Sequence, residues 1–171
     1  MSIPRRSALS WLWLSLIILI IDQWTKQFAV AHLAYLQSIK IVPFFNITLS
    51  FNKGAAFSFL EFAGGWQRWL FILIAILMSV FILGWLSRIS KKRYRLALGL
   101  SLILGGAFGN LWDRFHLGYV IDFVDWYVKN IHWPIFNIAD MAICIGVFLI
   151  IIDLFFEKKK NKKVTIQGRN D

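Results

Sequence analysis

Two aspartates are the side chains in this sequence best placed to do chemistry. Asp122 lies in an apolar-aromatic segment, and Asp140 lies a few residues into a long hydrophobic run. With Asp113 and Asp125 they put four of the nine acidic residues in or just upstream of the stretch 119–145, so negative charge in a basic chain is concentrated there. An ionisable residue inside or beside a membrane helix is costly and is usually functional. Two carboxylates that meet hold one proton between them, because like charges at close range resist ionising together. Such a pair can take a proton from water and return one to a leaving group, which is aspartyl hydrolase chemistry.

Other chemistries lack their spacing. His32, His116 and His132 are far apart, and no HxxxH or CxxC pattern supports a metal. The single cysteine, Cys144, stands in an apolar run and reads as a packed thiol, with no disulfide framework. No serine has a Gly-x-Ser-x-Gly setting, and nothing marks Lys40 or Lys53 as half of a Ser–Lys dyad. Gly105-Gly106-Ala107-Phe108-Gly109 is not followed by Lys-Ser/Thr, so it is no phosphate loop. Neither a metal nor another cofactor is expected.

The elements that must position the aspartates are membrane helices. The 171 residues are 58% hydrophobic and only 16% charged, with mean hydropathy +0.63, too apolar for a soluble domain. Four apolar runs, about 8–30, 69–86, 96–112 and 135–156, are each near the ~20 residues a helix needs to cross hydrocarbon. The expectation is one integral-membrane domain over 1–171: a mainly α, four-transmembrane-helix bundle with a small extracytoplasmic β-platform. If the helices alternate, 13 of the 19 basic residues fall on one side: Arg5 and Arg6, the 88–95 link, and the 157–171 tail. By the positive-inside rule that side is the cytoplasm, with both termini inside. The net charge of +10 then sets topology and does not point to nucleic acid. Arg5, Arg6 and the run 11–21 also resemble a signal peptide, with Ala29-Val30-Ala31 as a cleavage site. Asp22 and Lys26 interrupt that pattern, so the first helix is expected to stay. The lysine-rich tail is expected to be a disordered topological anchor touching anionic lipid.

The outer loop, about 36–62, carries the strand signal. Phe45, Ile47, Leu49 and Phe51 alternate with Asn46, Thr48, Ser50 and Asn52. Gly54 permits a turn, and Phe57, Phe59 and Leu60 offer a return strand, which would complete a two-stranded platform. Asn46-Ile47-Thr48 matches a glycosylation sequon by chance. Gly105 and Gly109 form a small-xxx-small pair suited to close helix packing.

Sorted by depth, the polar residues gather at one face. Asp22 and Lys26 lie a turn apart near the outer end of helix one, where a structural ion pair is the plainer reading. Asn110 and Arg114 share a face at the outer end of helix three. Asn137 followed by Asp140 reads as an N-cap with an acid in the first turn, a place that favours the ionised carboxylate. Asp140 is therefore expected to hold the charge more readily than Asp122, which lies in the loop between. Asp153 is about 20 Å from Asp140 at 1.5 Å per residue and is expected to pair with Lys158 or a neighbour.

Five segments in order then resemble one family, the prolipoprotein signal peptidases (signal peptidase II), membrane aspartic peptidases of bacteria. They are Asp22-Gln23-Trp24-Thr25-Lys26, Asn52-Lys53-Gly54-Ala55-Ala56-Phe57, the run from Gly105 to Arg114, Val120-Ile121-Asp122-Phe123, and Phe136-Asn137-Ile138-Ala139-Asp140. Asp125, which also precedes an aromatic residue, is the one ambiguity. The resemblance implies cleavage of a signal peptide before a diacylglyceryl-modified cysteine, with Asp122 and Asp140 as the catalytic pair. It implies that Asn52, Asn110, Arg114 and Asn137 hold substrate or orient the pair, with Gly54 and Gly106 in support. Asp22 and Lys26 would brace helix one, and the segment 52–60 would close over the substrate. The implied partners are the lipidated prolipoprotein and membrane lipid, with the enzyme a monomer in the bacterial inner membrane and its site near the outer face. That depth suits a lipidated cysteine, and Trp126, Tyr127 and Trp133 fit an interfacial aromatic belt. Two rival classes remain: a small proton-coupled transporter, whose charges belong across the bilayer or at its midplane, and a noncatalytic lipoprotein-binding factor, which needs neither aspartate.

Overall fold

A computed structural model describes residues 7–54 and 64–167, with side chains through residue 156. A short 3-10 turn, Ala8–Trp11, leads into α1 (Leu12–His32). Strands β1 (Ser38–Val42) and β2 (Phe45–Asn52) precede α2 (Trp66–Arg88) and α3 (Tyr94–His116). Strands β3 (Val120–Val128) and β4 (Ile131–His132) precede α4 (Ile138–Gln167). All four helices are long and apolar enough to cross a membrane, so the expected mainly helical four-span architecture with a small sheet is present.

The helix ends differ from expectation in informative ways. Helix α3 runs to His116, four residues past the apolar run, and so carries Asp113 and Arg114 on regular helix. Helix α4 starts at Ile138 and not near 135, because Phe136 bridges Val124 of β3 and leaves Asn137 to cap the helix. It continues to Gln167, so the tail expected to be disordered is helical over 157–167. Asp153 pairs with Arg93, at 2.6 Å; the side chain of Lys158, its expected partner, lies outside the described residues.

Helix α3 is the buried member of the bundle. Its glycines remove side chains where neighbours press closest: a Cβ on Gly105 would lie 2.8 Å from the Ser15 carbonyl of α1, and one on Gly106 would strike the Ala139 carbonyl of α4. The other helices keep broad apolar faces exposed, among them Trp13, Ile20, Leu77, Phe81 and Phe148, as lipid-facing helices do.

The sheet is larger than a hairpin. Among the described residues it has four antiparallel strands in the order β1-β2-β3-β4. The alternating strand is β2, but its partners are β1 and the distant β3. The expected return through Phe57, Phe59 and Leu60 lies outside the described residues. Asp122, expected in a loop, is on β3 opposite Ser50. Ala29, Leu33, Leu49, Ile121 and Phe123 form the core that seats the sheet on the end of α1. Asn46 and Thr48, the sequon residues, both turn to Asp125.

Because Gly106 lets two backbones touch, Gly106→Ala forces α3 and α4 apart. Its unfolding temperature in detergent should drop by several degrees, a loss of roughly 1–3 kcal/mol.

Candidate active site

The site is built on a buried ion cluster. Lys26 and Asp22, one helical turn apart on α1, are both fully buried. The three N–H bonds of the ammonium reach Asp22 Oδ2 at 2.8 Å, Asp113 Oδ2 at 2.9 Å and Asn110 Oδ1 at 3.0 Å. Gln23 donates to Asp113 Oδ1 at 2.8 Å and also lies within reach of Asp22 and the Gly109 carbonyl. Asp22 Oδ1 accepts the Ala139 N–H at 2.8 Å, and Asp113 Oδ2 accepts the Ile121 N–H at 3.2 Å. One lysine thus ties α1 to α3, and its two carboxylates fix the start of α4 and the start of β3.

From this base two asparagines carry order upward to the aspartates. Asn110 Oδ1 also accepts from Asn137 Nδ2, at 3.1 Å, while Asn110 Nδ2 donates to Asp140 Oδ1 at 2.7 Å. Asn137 Nδ2 donates to Asp122 Oδ1 at 2.6 Å. Asn137 is also the N-cap: its Oδ1 accepts the Asp140 N–H at 2.9 Å, and Asp140 Oδ2 accepts the Asn137 N–H at 3.3 Å. The remaining oxygen of Asp122 accepts from Asn52 Nδ2 at 3.1 Å. Each carboxylate therefore has a fixed amide donor on both oxygens.

Both aspartates line one cavity of ≈ 970 Å³. Its polar wall holds Asn52, Asn110 and Arg114. Its apolar wall is made of the 133–136 segment, Trp126 and the first turns of α4. Burial first, then the Asp140 charge, pushes the Asp122 carboxyl up to about 7 against the pull of Asn52, Asn137 and Lys26. A carboxyl in that range can hold a proton at neutral pH and release it.

The remaining sequence-selected residues take separate places. Arg114 donates from Nη2 to the Gly54 carbonyl at 3.0 Å and lies over the Phe71 ring. The Gly54 N–H donates to Asn52 Oδ1 at 2.9 Å, so Asn52 and Arg114 together set the exit of β2. Gly106 makes helix contact and no cavity wall. Cys144, expected as a packed thiol, is exposed and lines the cavity. Asp125, the alternative to Asp122, does not line the cavity and lies on the opposite face of β3. Sequence reasoning left out Gln23 and Asp113 as members of the cluster. Both stand within quoted motifs, and the signal for Asp113 was a lysine at membrane depth that one nearby carboxylate leaves underpartnered. It also left out Arg68, which donates to the Arg114 and Phe115 carbonyls at 2.7 Å each and closes the end of α3.

Removing Lys26 strands Asp22 and Asp113 as unpaired buried charges. Lys26→Met should therefore cost about 3–5 kcal/mol, read as a lowered unfolding temperature in detergent. Adding Asp22→Asn and Asp113→Asn to that variant should restore a large part of it.

Comparison with known proteins places this geometry. The sequence profile of signal peptidase (SPase) II matches residues 14–156. The chain is 52% identical over 164 residues to a lipoprotein signal peptidase of Alteromonas mediterranea, covering 96% of this chain and 89% of that one. It is 51% identical over 155 residues to that of Acinetobacter baumannii, covering 91% and 88%. Two solved bacterial membrane enzymes share the fold. One has a TM-score of 0.79 at 31% identity, covering 88% of this chain and 90% of its own. The other has a TM-score of 0.74 at 32% identity, covering 85% and 92%. With its profile matched across all four helices and the sheet, the chain belongs to the signal peptidase II family.

Proposed function

We propose that this protein is an aspartic endopeptidase of the bacterial inner membrane. It removes signal peptides from diacylglyceryl-modified prolipoproteins by cutting before the lipidated cysteine. The observation that carries this reading is the shared setting of Asp122 and Asp140: one cavity, with Asn137 bonded to both carboxylates and Asn110 bonded to Asp140 and Asn137. The relatives' names supply the substrate class, and the apolar wall beside the polar one supports a substrate that is part lipid.

In this reading Asp140 is the base. It takes a proton from water as the water oxygen attacks the scissile carbonyl, and protonated Asp122 donates to the developing oxyanion. On collapse the gem-diol returns a proton to Asp122, and the proton held by Asp140 passes to the leaving nitrogen as the C–N bond breaks. The scheme needs neither metal nor covalent intermediate. Asn52, Asn110 and Asn137 keep the carboxylates aimed, while Arg114 holds the Gly54 turn at the cavity mouth. Both termini face the cytoplasm, the sheet and site lie at the outer face, and the enzyme works as a monomer.

The test is cleavage of a purified diacylglyceryl prolipoprotein in detergent. Asp122→Asn and Asp140→Asn should each fall about 10³-fold or more below the unmodified protein. Cleavage that survives both changes would sink the mechanism. Asp122 must also carry its proton into the reaction. Its carboxyl is raised, so the protonated form is present below about 7 and is lost as pH climbs through that value. The profile of kcat/KM should therefore fall on the alkaline side with an apparent pKa near 7, a value that belongs to the pair.

A further inference from the structure

On the face of β3 turned away from the cavity lies a second carboxylate cluster. Asp125 is 3% exposed, yet side chains of two neighbouring strands bind it directly. Asn46 Nδ2 of β2 donates to Oδ2 at 3.2 Å, the Thr48 hydroxyl of β2 donates to the same oxygen at 3.0 Å, and His132 Nδ1 of β4 donates to Oδ1 at 2.7 Å. Thr48 is also 2.8 Å from the Ser38 hydroxyl of β1, so all four strands reach the cluster. Burial raises the Asp125 carboxyl, but the bonds from His132, Asn46 and Thr48 outweigh it and hold the group below its usual range. It therefore stays an anion, and His132 is the partner in the cluster able to become a cation.

This bond adds a side-chain anchor to a short strand, β4. It is two residues long, with two pairings to β3, Tyr127 with His132 and Val128 with Ile131. The chain then forms the apolar wall of the cavity with Trp133, Pro134, Ile135 and Phe136, and reaches Asn137, which holds Asp122. Backbone bonds fix the two ends of this strap: the Trp133 N–H donates to the Trp126 carbonyl at 2.7 Å, and the Phe136 N–H donates to Val124 at 3.1 Å. The side-chain anchor just before the strap is His132, half exposed at 51%. The titratable and charged groups sharing its surroundings are Asp125, Tyr127, whose ring stacks on it, and Lys129 in the same surface groove; β1 and β2 bring neutral Ser38, Asn46 and Thr48 to the cluster.

We propose that His132 and Asp125 are positioning residues that latch the 133–136 wall, so that substrate affinity, more than the chemical step, responds to the charge on His132. Histidine changes charge across the neutral range. The latch is an ion pair on the acid side and a neutral hydrogen bond on the alkaline side, and charge-assisted bonds are the stronger. Neither side chain touches the cavity, so the effect travels through the strap.

The inference rests on the cavity being the peptidase site, and one experiment separates the two. Prolipoprotein cleavage is followed for the unmodified protein, His132→Gln and Asp125→Asn across the pH range in which histidine titrates. His132→Gln, at a half-exposed position, is the variant expected to fold. Its KM should exceed the unmodified value about tenfold on the acid side, with kcat nearly unchanged, and the ratio should narrow toward unity on the alkaline side. Taking the ratio at each pH cancels the titration of Asp122, which both proteins share. Asp125→Asn, which leaves no anion for His132, should show the raised KM without that pH dependence. A His132→Gln enzyme whose KM ratio is flat with pH overturns the latch, whether or not its unfolding temperature drops. A drop in kcat at constant KM overturns it as well. If the unmodified protein does not cleave, or if Asp122→Asn does, the peptidase reading fails instead.

Discussion

Lys26 is buried completely, and each N–H of its ammonium meets a partner on α1 or α3. An ammonium taken out of water loses several kcal/mol of solvation unless its geometry is satisfied in full. Here it is satisfied only when α1 and α3 hold a single register, since Asp22 comes from one helix and Asp113 and Asn110 from the other. The same carboxylates then bind backbone N–H groups at Ala139 and Ile121. A one-turn slip of α3 would leave buried charges unpaired, so the cluster makes the bundle's register an all-or-none matter. The glycines of α3 serve the same end: with a side chain at Gly109, Asp22 would lose its place.

The aspartates inherit their positions from that base. Asn110 accepts from Lys26 and donates to Asp140, so the amide orientation is dictated by the cation below it. Asn137 in turn has its carbonyl oxygen committed to the α4 amino end, which aims its NH₂ at Asn110 and Asp122. An asparagine with both ends assigned cannot flip. This gives a direct physical reason for amides around the pair: they hold carboxylates in place with neutral donors, and leave the proton count of the pair to be set by burial and mutual repulsion. A lysine in their place would favour ionisation of both acids.

Much of this was legible in the sequence because membrane composition leaves few polar residues to sort. The four spans, the clustering of polar groups, the Asp22–Lys26 pair and the cap at Asn137 all follow from period and spacing. What could not be read was pairing across long separations. The alternation at 45–52 marks a strand but says nothing of which partner it takes, and β3 lies some 70 residues away. Its own sequence, with Val120, Ile121, Phe123 and Val124 buried, lacks clean alternation because the strand is covered on both sides by helix ends and strap. Asp122 was consequently expected in a loop. Cys144 was misread for a related reason: a bundle in lipid exposes apolar faces, so an apolar run does not tell buried from exposed.

Placing Asp122 on a strand has a consequence for the pair itself. A loop carboxylate can swing away from a like charge and so relieve the repulsion that raises its pKa. On β3, ladder bonds to β2 fix the backbone, and Asn52 and Asn137 fix the two oxygens. Burial first, and then the Asp140 charge, therefore hold the Asp122 carboxyl up at about 7, and neither is dissipated by movement. Three residues on, Asp125 shows the opposite result on the same strand: hydrogen-bond donors around a similarly buried carboxylate keep it ionised. One strand thus holds two acids shifted in opposite directions: burial and then the Asp140 charge raise Asp122, while the bonds from His132, Asn46 and Thr48 outweigh burial at Asp125.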